Sequence, residues 1–458
     1  MRIVIVGNGV AGMEAALGVR ARHPDWPITI VSEESDHFIA RTSLMYVFSG
    51  QLRHADIEPL ERDAYERHRF VRVRARAIGI DVANKHLLLS GHAALPYDRL
   101  LVASGSRPRP APWPGSDLRG IGAFVTLSDL AWLEREVHAR PSFGGEPPRA
   151  DLHQATTTPD SPYAARPVAA KDRGAVARRP TIVGGGLIGV EAAEILTVEK
   201  LRPRFVIRDE WFWPMALDAN EARWIADHMT RHGVDVELMA EVVRFEGDAR
   251  GNVARIETSL GTHETDLVVV AIGVVPNTDW ASDALKRESK SGGIEVDDGL
   301  QASVSDVFAA GDCAAVGWWD GTRRPEQLWY TGRDQGRIAA RRLCGEDAQY
   351  VRGTWYNSAK LFDVEYTTVG RVGSKLPGEK TFFYEERGRV RSTSRIIESE
   401  GRFVGANMLG RRWDHSVLVE WIEEERTARW VLEHLPEASF DTEFVPPFVT
   451  RTTDWQES

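Results

Sequence analysis

The chain has 458 residues, 42% of them hydrophobic and 27% charged, a composition typical of a globular protein of two or three domains. Its formal net charge of −10 argues against non-specific nucleic-acid binding, which needs a cationic surface. No stretch approaches the roughly 18 consecutive apolar residues of a membrane span, and the chain begins on a predicted strand rather than a secretory signal. Its two cysteines, Cys313 and Cys344, form no CxxC pair. We therefore expect a cytoplasmic protein without a redox-active disulfide or a cysteine-ligated cluster.

The N-terminal segment combines a buried strand with a glycine-rich loop. Ile3–Val6 is apolar and β-branched, as expected of a strand covered on both faces. Gly7, Gly9 and Gly12 follow at GxGxxG spacing. The first permits a sharp turn, the second lets the backbone approach a pyrophosphate, and the third lets the next helix, about residues 11–21, pack on the strand. Because the positive end of that helix favours phosphate, the segment predicts a dinucleotide-binding loop.

The next strand and the loop after it supply two candidate ligands. The strand, Ile28–Val31, ends at Ser32 and Glu33, and a carboxylate at this point can accept hydrogen bonds from both hydroxyls of an adenosine ribose. Glu33 is therefore the predicted ribose ligand. Arg41 stands in a loop well placed to reach the bound dinucleotide, although the position equally suits a solvated surface cation.

A proline-rich stretch at residues 140–179 precedes the second half of the chain. It contains six prolines and fits no periodic pattern, so it buries too little apolar surface to offset the entropy lost on ordering. We expect a long inserted loop. It is either flexible by itself or ordered by a protein partner.

A second glycine-rich loop, which follows this insertion, is the feature around which the chain is organised. Gly184, Gly186 and Gly189 repeat the GxGxxG spacing directly after the apolar strand Thr181–Val183. We expect a chain with two such loops to hold two dinucleotides. The simplest chemical reason to hold two is to pass a hydride between them.

The strand after the second loop gives a mixed signal about the nucleotide that binds there. Arg208 stands near the position where a carboxylate would receive the 2′-hydroxyl of NAD, and an arginine there can accept the 2′-phosphate of NADP or stack on adenine. Asp209 and Glu210 would repel that phosphate. We expect NAD, with NADP as the open alternative. The aromatic run Trp211–Trp213 either lines the adenine pocket or packs in the interior.

Three further stretches, together with the two loops, resemble a known family. Residues 97–108, 266–277 and 293–313 are similar to segments of the FAD-dependent pyridine nucleotide oxidoreductases with two dinucleotide-binding domains. That family includes ferredoxin and rubredoxin reductases, NADH oxidases and the N-terminal part of NADH-dependent nitrite reductases. The resemblance is close over about residues 1–345 and weak over the remainder. It implies FAD and NAD(H) as cofactors, with NADP(H) as the alternative.

The resemblance also implies a set of cofactor ligands. Ala103 and Gly105 belong to the turn that crosses FAD, Gly273 to the exit from the NAD domain, and Gly311 and Asp312 to the second FAD motif. The carboxylate of Asp312 is expected to accept hydrogen bonds from the ribityl hydroxyls, which are donors in a site closed to water. By the same resemblance, an arginine in the loop of Arg41 would serve the pyrophosphate or the ribityl chain.

Two further features bear on the reacting rings. Glu191 matches a family glutamate near the nicotinamide carboxamide, and we expect it to orient the nicotinamide over the flavin. The alternative role is that of a helix-terminal acid that interacts with the helix dipole. A helix over about residues 328–344 would direct its N-terminus at the flavin pyrimidine and favour negative charge there. No metal site is expected.

The predicted fold is α/β, with two Rossmann-like dinucleotide-binding domains and a C-terminal α+β interface domain. The predicted segments are 1–115 and 276–345 for the split FAD domain, 116–275 for the NAD(P) domain, and 346–458 for the C-terminal domain. In that last segment, alternating patterns predict strands at 365–372, 380–384 and 402–410, and an amphipathic pattern predicts one helix over about 414–435. The end of the chain, 437–458, is expected to be extended, either docked on a partner or untethered. A homodimer or hetero-oligomer is expected from relatives.

The electron acceptor is inferred from the cysteines. Related oxidases and CoA-disulfide reductases keep one redox cysteine in the loop after the ribose acid, where this chain has Ser43 or a neighbour of it. Cys313 is better explained as a small buried residue than as a nucleophile. Electrons would therefore pass to or from an external iron–sulfur protein, such as a ferredoxin, a rubredoxin or a subunit of a larger complex. Alternatives are oxygen, a quinone or a dye as acceptor, and a non-catalytic flavin-bearing signalling or assembly protein.

Overall fold

The computed structural model describes residues 1–138, 179–373, 376–387, 391–440, 443 and 446–457. The predicted insertion at 140–179 lies outside these residues, apart from its last position. The chain forms two compact units. The first comprises the described residues of Met1–Pro110, Ala123–Gly174 and Gly273–Arg352, and the second those of Ala111–Gly122, Ala175–Ile272 and Gly353–Ser458. The boundaries of the four segments derived from the sequence stay predictions.

The first unit is built on a five-stranded parallel sheet. Its order is Val307–Ala309, Arg99–Val102, Ile3–Val6, Ile28–Ser32 and Phe70–Arg74. The central strand is buried along its whole length, which explains its uninterrupted β-branched sequence. Helices Val10–Arg22 and Trp329–Leu343 pack closely on each other. Their contact requires a glycine, because a Cβ on Gly336 would lie 2.5 Å from the carbonyl oxygen of Ala11.

Shorter elements complete the first unit. Two small three-stranded sheets accompany the main sheet. One consists of Ala77–Asp81, His86–Leu89 and Leu95–Pro96, and the other of Ile294–Glu295, Ala314–Gly317 and Arg323–Arg324. A further strand pair is formed by Ser106–Pro108 and Val274–Pro276. The remaining α-helices are Leu44–Phe48, Ala64–Arg67 and Leu127–His138, and the 3₁₀ turns are Arg41–Ser43, His54–Ile57 and Asp279–Ala281.

The second unit repeats the strand, loop and helix arrangement of the first. Its parallel sheet has the order Asp235–Glu237, Arg204–Val206, Pro180–Val183, Leu267–Val270 and Ile121–Gly122. Helix Leu187–Val198 follows the strand Pro180–Val183 in the chain, and helix Ala219–Arg231 follows the strand Arg204–Val206. An antiparallel sheet adds Val242–Gly247, Val253–Thr258 and Gly261–Glu264. The two parallel sheets confirm the predicted α/β class. Across the part of the chain that the structure describes, no helix combines the length and the apolar character needed to span a bilayer.

The C-terminal part of the second unit is a six-stranded antiparallel sheet. Its order is Tyr356–Leu361, Val364–Gly370, Arg402–Leu409, Ser392–Ser399, Glu379–Glu386 and Gln456–Glu457. Helices His415–Glu423 and Ala428–His434 pack on it, followed by the 3₁₀ turn Leu435–Ala438. The three strands predicted from alternation at 365–372, 380–384 and 402–410 are confirmed, with small shifts at their ends.

The single helix predicted over about residues 414–435 is wrong. The chain turns between the two observed helices, where Glu425 has a φ of +55°, a conformation that no helix interior allows. A new helix then starts because the side chain of Thr427 accepts a hydrogen bond from the backbone N–H of Trp430. The amphipathic pattern continues across this break, which is why periodicity alone did not reveal it.

The sequence predicts that the end of the chain is either docked on a partner or untethered. The structure shows neither, because the aromatic residues of the tail are buried in its own unit. Phe448 and Trp455 are buried in the core of the C-terminal sheet, with the Trp455 ring 5.5 Å from that of Tyr384. Gln456–Glu457 then pairs with the edge strand Glu379–Glu386. The short 3₁₀ turn Thr452–Asp454 precedes this pairing. The aromatic residues thus attach the tail to its own unit.

Candidate functional site

The N-terminal glycine-rich loop closes tightly on the neighbouring strand. Gly7 has a φ of +116°, and a Cβ there would lie 2.0 Å from the carbonyl oxygen of Ala103, while a Cβ on Gly12 would lie 2.2 Å from that of Gly7. The position of a Cβ on Gly9, in contrast, has no atom within 4 Å. Gly9 is also the N-cap of helix Val10–Arg22, so this open space lies where an anion is favoured. The loop therefore fits the phosphates of a dinucleotide.

Four of the predicted FAD ligands lie at one edge of the parallel sheet. Gly7, Glu33 and Ala103 directly follow the strands that end at Val6, Ser32 and Val102, and Gly311 comes two residues after the strand Val307–Ala309. Because these strands are parallel neighbours, their carboxyl ends meet at the same edge, the usual place for a ligand in such a sheet. The carboxylate of Glu33 is exposed, with Arg76 Nε at 3.7 Å from its Oε2 atom.

Arg41 and Asp312 belong to one polar cluster in the first unit. Arg41 forms an ion pair with Glu34 and donates from Nη1 to the carbonyl oxygen of Ser106 at 3.1 Å. The hydroxyl of Ser106 in turn donates to Asp312 Oδ2 at 2.7 Å. Glu34 also accepts a hydrogen bond from the backbone N–H of Leu127, at 2.8 Å. Arg41 is therefore held on two sides rather than freely solvated, and its contact with FAD stays a prediction.

Neighbouring residues fix the turn that carries Asp312 and shift the pKa of its carboxyl. Burial raises the pKa of the Asp312 carboxyl, and the hydrogen bond from Ser106 and the charge of Arg41 oppose that rise. The turn before it is fixed by the backbone N–H of Gly311, which donates to Gln335 Oε1 at 2.7 Å. Sequence reasoning missed Ser106, Glu34 and Gln335 as supports of this cluster, because only the fold brings them to it.

Two predicted cofactor ligands, Gly105 of the turn that crosses FAD and Gly273 of the exit from the NAD domain, lie at the ends of one strand pair. Ser106–Pro108 and Val274–Pro276 run antiparallel, with Gly105 and Gly273 directly before them. Both glycines have positive φ, +67° and +93°, and neither has an atom within 4 Å of a Cβ position. Left-handed backbone of this kind favours glycine, so these positions require it for conformation rather than for space.

The second glycine-rich loop repeats the geometry of the first. Gly184 has a φ of +117°, and a Cβ there would lie 2.4 Å from the carbonyl oxygen of Ala271. A Cβ on Gly189 would lie 2.3 Å from the carbonyl oxygen of Gly184, whereas the Cβ position of Gly186 is open to 4 Å. Gly186 is the N-cap of helix Leu187–Val198. This loop, like the first, fits a pyrophosphate at a helix N-terminus.

Glu191 lies in the second turn of that helix with another acid three residues further on. Burial raises the pKa of the Glu191 carboxyl to about 7, and the negative charge of Glu194 adds to the rise. Near neutral pH the group therefore exists in both forms. It can donate a hydrogen bond when protonated and accept one when ionised, which suits an amide partner that has both kinds of group.

Of the residues expected to select the nucleotide, Arg208 and Glu210 are exposed and Asp209 is partly buried. Arg208 and Asp209 lie directly after the strand Arg204–Val206 and its neighbour Ile207, and Arg208 Nη2 is 3.6 Å from Asp209 Oδ1. Neither alternative for the nucleotide is excluded by this arrangement. Of the two alternatives for the aromatic run Trp211–Trp213, interior packing is observed for Phe212, whose ring is fully buried with Trp213 packed on it.

Neither thiol of the chain is a ready nucleophile. Cys313 is fully buried, and its Sγ atom donates to two carbonyl oxygens, of Val102 and Ala310, each at 3.3 Å. Burial raises the pKa of this thiol to about 11. Cys344 is half-buried at the end of helix Trp329–Leu343, and burial raises its pKa as well. The expectation that Cys313 is a small buried residue is confirmed.

The family follows from comparison with known proteins. Residues 1–336 match the family model described as pyridine nucleotide-disulphide oxidoreductase. The chain belongs to this family. As a pyridine nucleotide-disulphide oxidoreductase family member it is an FAD-dependent, NAD(P)H-dependent flavoprotein, which confirms the predicted cofactors and the predicted class of enzyme.

Individual members of the family are distant from this chain. The NAD(P)H sulfur oxidoreductase (CoA-dependent) of Pyrococcus abyssi is 26% identical, covering 81% of this chain and 75% of that protein. The ferredoxin–NAD(+) reductase component of the biphenyl dioxygenase system of Paraburkholderia xenovorans is 29% identical, covering 77% and 78%. Putidaredoxin reductase, in its covalent complex with putidaredoxin, has a TM-score of 0.74 at 20% identity, covering 93% of this chain and 92% of that one, a likeness of fold.

Proposed function

We propose that this oxidoreductase exchanges hydride with NAD(H) and single electrons with an external iron–sulfur protein. When bound, FAD supplies the chemistry that connects the two, because a flavin accepts two electrons together and releases them singly. The observation that carries the proposal is the state of the two cysteines. With no reactive thiol to receive electrons from the flavin, the second redox partner has to be a separate molecule.

The cysteines argue against redox chemistry through a thiol of this chain. Cys313 is buried, and its thiol donates hydrogen bonds to two carbonyl oxygens. Cys344 lies at the C-terminal end of the 15-residue helix Trp329–Leu343, about 22 Å from the end that the resemblance directs at the flavin. The position where the resemblance expects a redox cysteine is Ser43 or a neighbour of it, and Ser43 ends the 3₁₀ turn that begins with Arg41. A hydroxyl there cannot form a persulfide or a sulfenic acid.

An iron–sulfur acceptor is supported by the ferredoxin–NAD(+) reductase component and by the fold shared with putidaredoxin reductase. In the proposed site, Asp312 and Arg41 hold FAD, supported by Ser106 and Glu34. Glu191 orients the nicotinamide. NAD is proposed over NADP, because the charge of Asp209 opposes a 2′-phosphate. NADH is an intracellular reductant, so the reaction is proposed to occur in the cytoplasm.

The test begins with the FAD-bound protein mixed anaerobically with NADH in a stopped-flow instrument. We expect the flavin absorbance to bleach within seconds. In a second experiment, NADH oxidation is followed with a ferredoxin at increasing concentration and cytochrome c as the final acceptor. We expect a rate that saturates with ferredoxin and is unchanged in a Cys344→Ser variant.

The outcomes distinguish the alternatives. Turnover with polysulfide, oxygen or a quinone that equals or exceeds turnover with ferredoxin would overturn the iron–sulfur acceptor. A flavin that neither NADH nor NADPH bleaches over minutes would instead support the non-catalytic alternative. Reduced ferredoxin mixed with the enzyme and NAD⁺ reports the direction, since NADH formation shows that electrons also flow toward the nicotinamide.

A further inference from the structure

Three metal-ligating side chains that have no proposed role in cofactor binding meet in the second unit. His228 lies on helix Ala219–Arg231, His232 is the residue at its C-cap, and Asp363 lies in the tight turn between strands Tyr356–Leu361 and Val364–Gly370. One ligand atom of each lies within 4.8 Å of the others. We propose that His228, His232 and Asp363 bind one divalent transition-metal ion, of which Zn²⁺ is the best match.

The local sequence explains why these groups converge. Residues four apart on a helix lie on one face, which brings the two imidazoles side by side, with ring centroids 4.4 Å apart. On the opposite side, Phe362 has a φ of +58°, so the hairpin turns sharply enough to direct Asp363 at the helix. The Phe362 ring packs 5.1 Å from that of His232. It also lies 6.3 Å from the ring of His228, so the Phe362 ring contacts both imidazoles.

The tautomer of His232 leaves the correct nitrogen for a metal. Its Nδ1 atom lies 2.9 Å from the carbonyl oxygen of His228, a contact that requires a proton on Nδ1. Nε2 consequently keeps its lone pair and is available as a ligand. An imidazole that donates its other N–H to a carbonyl is the usual arrangement of a metal-binding histidine, because that bond fixes the ring.

Charges around the cluster favour a cation. Both histidines lie at the C-terminal end of their helix, where the helix dipole is negative. Glu194 lies beside the cluster, since the charges of His232 and Asp363 both act on its carboxyl and the backbone of Phe362 hydrogen-bonds to it. Among the described residues, no group hydrogen-bonds to the buried Oε2 atom of Glu194. Its negative charge would be compensated by a metal ion.

Two contacts have to change when the metal binds. His228 Nε2 now hydrogen-bonds directly to Asp363, and a metal would replace that bond by accepting both atoms as ligands at about 2.0–2.2 Å. The Asp363 side chain is 70% exposed, so it can rotate to make room. Arg231 Nη2 lies 3.4 Å from His228 Nδ1 and would turn toward solvent. The charge of Lys360 also acts on the carboxyl of Glu194.

A bound ion would join helix Ala219–Arg231 to the C-terminal hairpin. It would cross-link elements that are far apart in the sequence, and such a link stabilises the folded state by binding it in preference to the unfolded chain. Two imidazoles and one carboxylate are a typical zinc donor set, with a fourth position for water. The site requires no role in hydride transfer, so it stands or falls separately from the proposed function.

The test uses the FAD-bound protein after treatment with a chelator. Equilibrium dialysis against Zn²⁺ followed by metal analysis should give one ion per chain, and the melting temperature should rise with Zn²⁺. His232→Gln and Asp363→Asn should each weaken Zn²⁺ binding by at least about tenfold. His92→Gln, which replaces an exposed histidine of the first unit, is the matched control and should bind as the unmodified protein does.

A second measurement keeps the result independent of the variants. Co²⁺ bound by two imidazoles and a carboxylate gives visible absorption at wavelengths beyond those of flavin, and Zn²⁺ should displace it. Less than stoichiometric Zn²⁺ uptake by the unmodified protein overturns the proposal. So does uptake that is the same in His232→Gln, Asp363→Asn and the control, provided that their flavin spectra and metal-free melting temperatures match.

Discussion

Replacing Arg395 by methionine should destabilise the second unit, because it leaves a buried carboxylate without its counter-ion. Glu221 is 0% exposed and Arg395 is 5% exposed. Arg395 donates from Nε to Glu221 Oε1 at 3.1 Å, and its Nη2 atom lies 3.0 Å from Oε2. The same guanidinium also donates to the carbonyl oxygens of Val372 and Ala216, at 3.1 and 2.7 Å. One side chain thus joins helix Ala219–Arg231 to the C-terminal sheet.

The expected loss is roughly 3–5 kcal/mol of unfolding free energy, the range for removing one partner of a buried ion pair. Most of it is the cost of leaving Glu221 charged in a site closed to water. The double variant Glu221→Leu with Arg395→Met removes both charges and should recover most of the loss. It should retain a cost of about 1 kcal/mol, because Glu221 also accepts the backbone N–H of Asp218 in a capping box at the start of its helix.

The pH dependence gives an independent check on the cause. Burial raises the pKa of the Glu221 carboxyl, and Arg395 opposes that rise. In Arg395→Met the folded-state pKa therefore rises further above the unfolded-state value of about 4.3. A raised folded-state pKa means that the native state binds the proton more tightly, so stability is lost as pH rises toward that pKa. The variant should therefore be least stable relative to the unmodified protein above the raised folded-state pKa, and the difference should shrink as the pH is lowered toward the unfolded-state value.

The assay is urea unfolding followed by circular dichroism, together with hydrogen exchange in the backbone of helix Ala219–Arg231. Exchange is needed because a chain of two units need not unfold in a single step. A loss below about 1 kcal/mol in Arg395→Met would refute the reasoning. A double variant less stable than the single one would refute it equally, since it would show that the ion pair itself, rather than the unpaired charge, supplies the stability.

Three further changes test the candidate site. The rate of flavin reduction by NADH should inflect near pH 7 as the Glu191 carboxyl titrates. Glu191→Gln should remove that inflection, and Glu194→Gln should move it to lower pH. An unchanged profile in Glu191→Gln would assign the titration to another group. Asp209→Asn should raise kcat/KM for NADPH by roughly three- to tenfold, by removing a charge that repels the 2′-phosphate, with little change for NADH. Cys313 should not react with a thiol reagent until the protein is unfolded, which peptide mapping of the labelled protein reports.

The dinucleotide loops were readable from the sequence because the strand, the turn and the helix of each loop are consecutive in the chain. A strand, a turn and the start of a helix stand within about a dozen residues, and the glycines at their centre have φ values of +116° at Gly7 and +117° at Gly184. The carbonyl oxygens that crowd those glycines come from neighbouring strands, at Ala103 and Ala271. Because no other residue fits so close to a carbonyl oxygen, a glycine at this position indicates the close approach from the sequence alone.

The polar contacts around the candidate site were not readable, because they join residues that only the fold brings together. Ser106 and Asp312 are 206 residues apart, and Glu221 and Arg395 are 174 apart. Each of these side chains, taken alone, is an ordinary polar residue in a strand, a turn or a helix. The tail was misjudged for the same reason, since the strand that receives Gln456–Glu457 lies some seventy residues earlier in the chain.

The acidic pair of the second unit explains how one glutamate can serve a nicotinamide carboxamide, which has both a carbonyl oxygen and an amide N–H₂. A glutamate with its ordinary pKa would have to spend between about 3 and 4 kcal/mol to become protonated at neutral pH. For Glu191, whose pKa is about 7, either protonation state costs less than about 0.5 kcal/mol at that pH. Burial is the main cause of this balance, and Glu194 contributes to it because its charge disfavours a second carboxylate one turn away. A neutral residue at position 194 would lower the pKa of the Glu191 carboxyl and shift it toward the ionised, hydrogen-bond-accepting form, while burial would still oppose its ionisation.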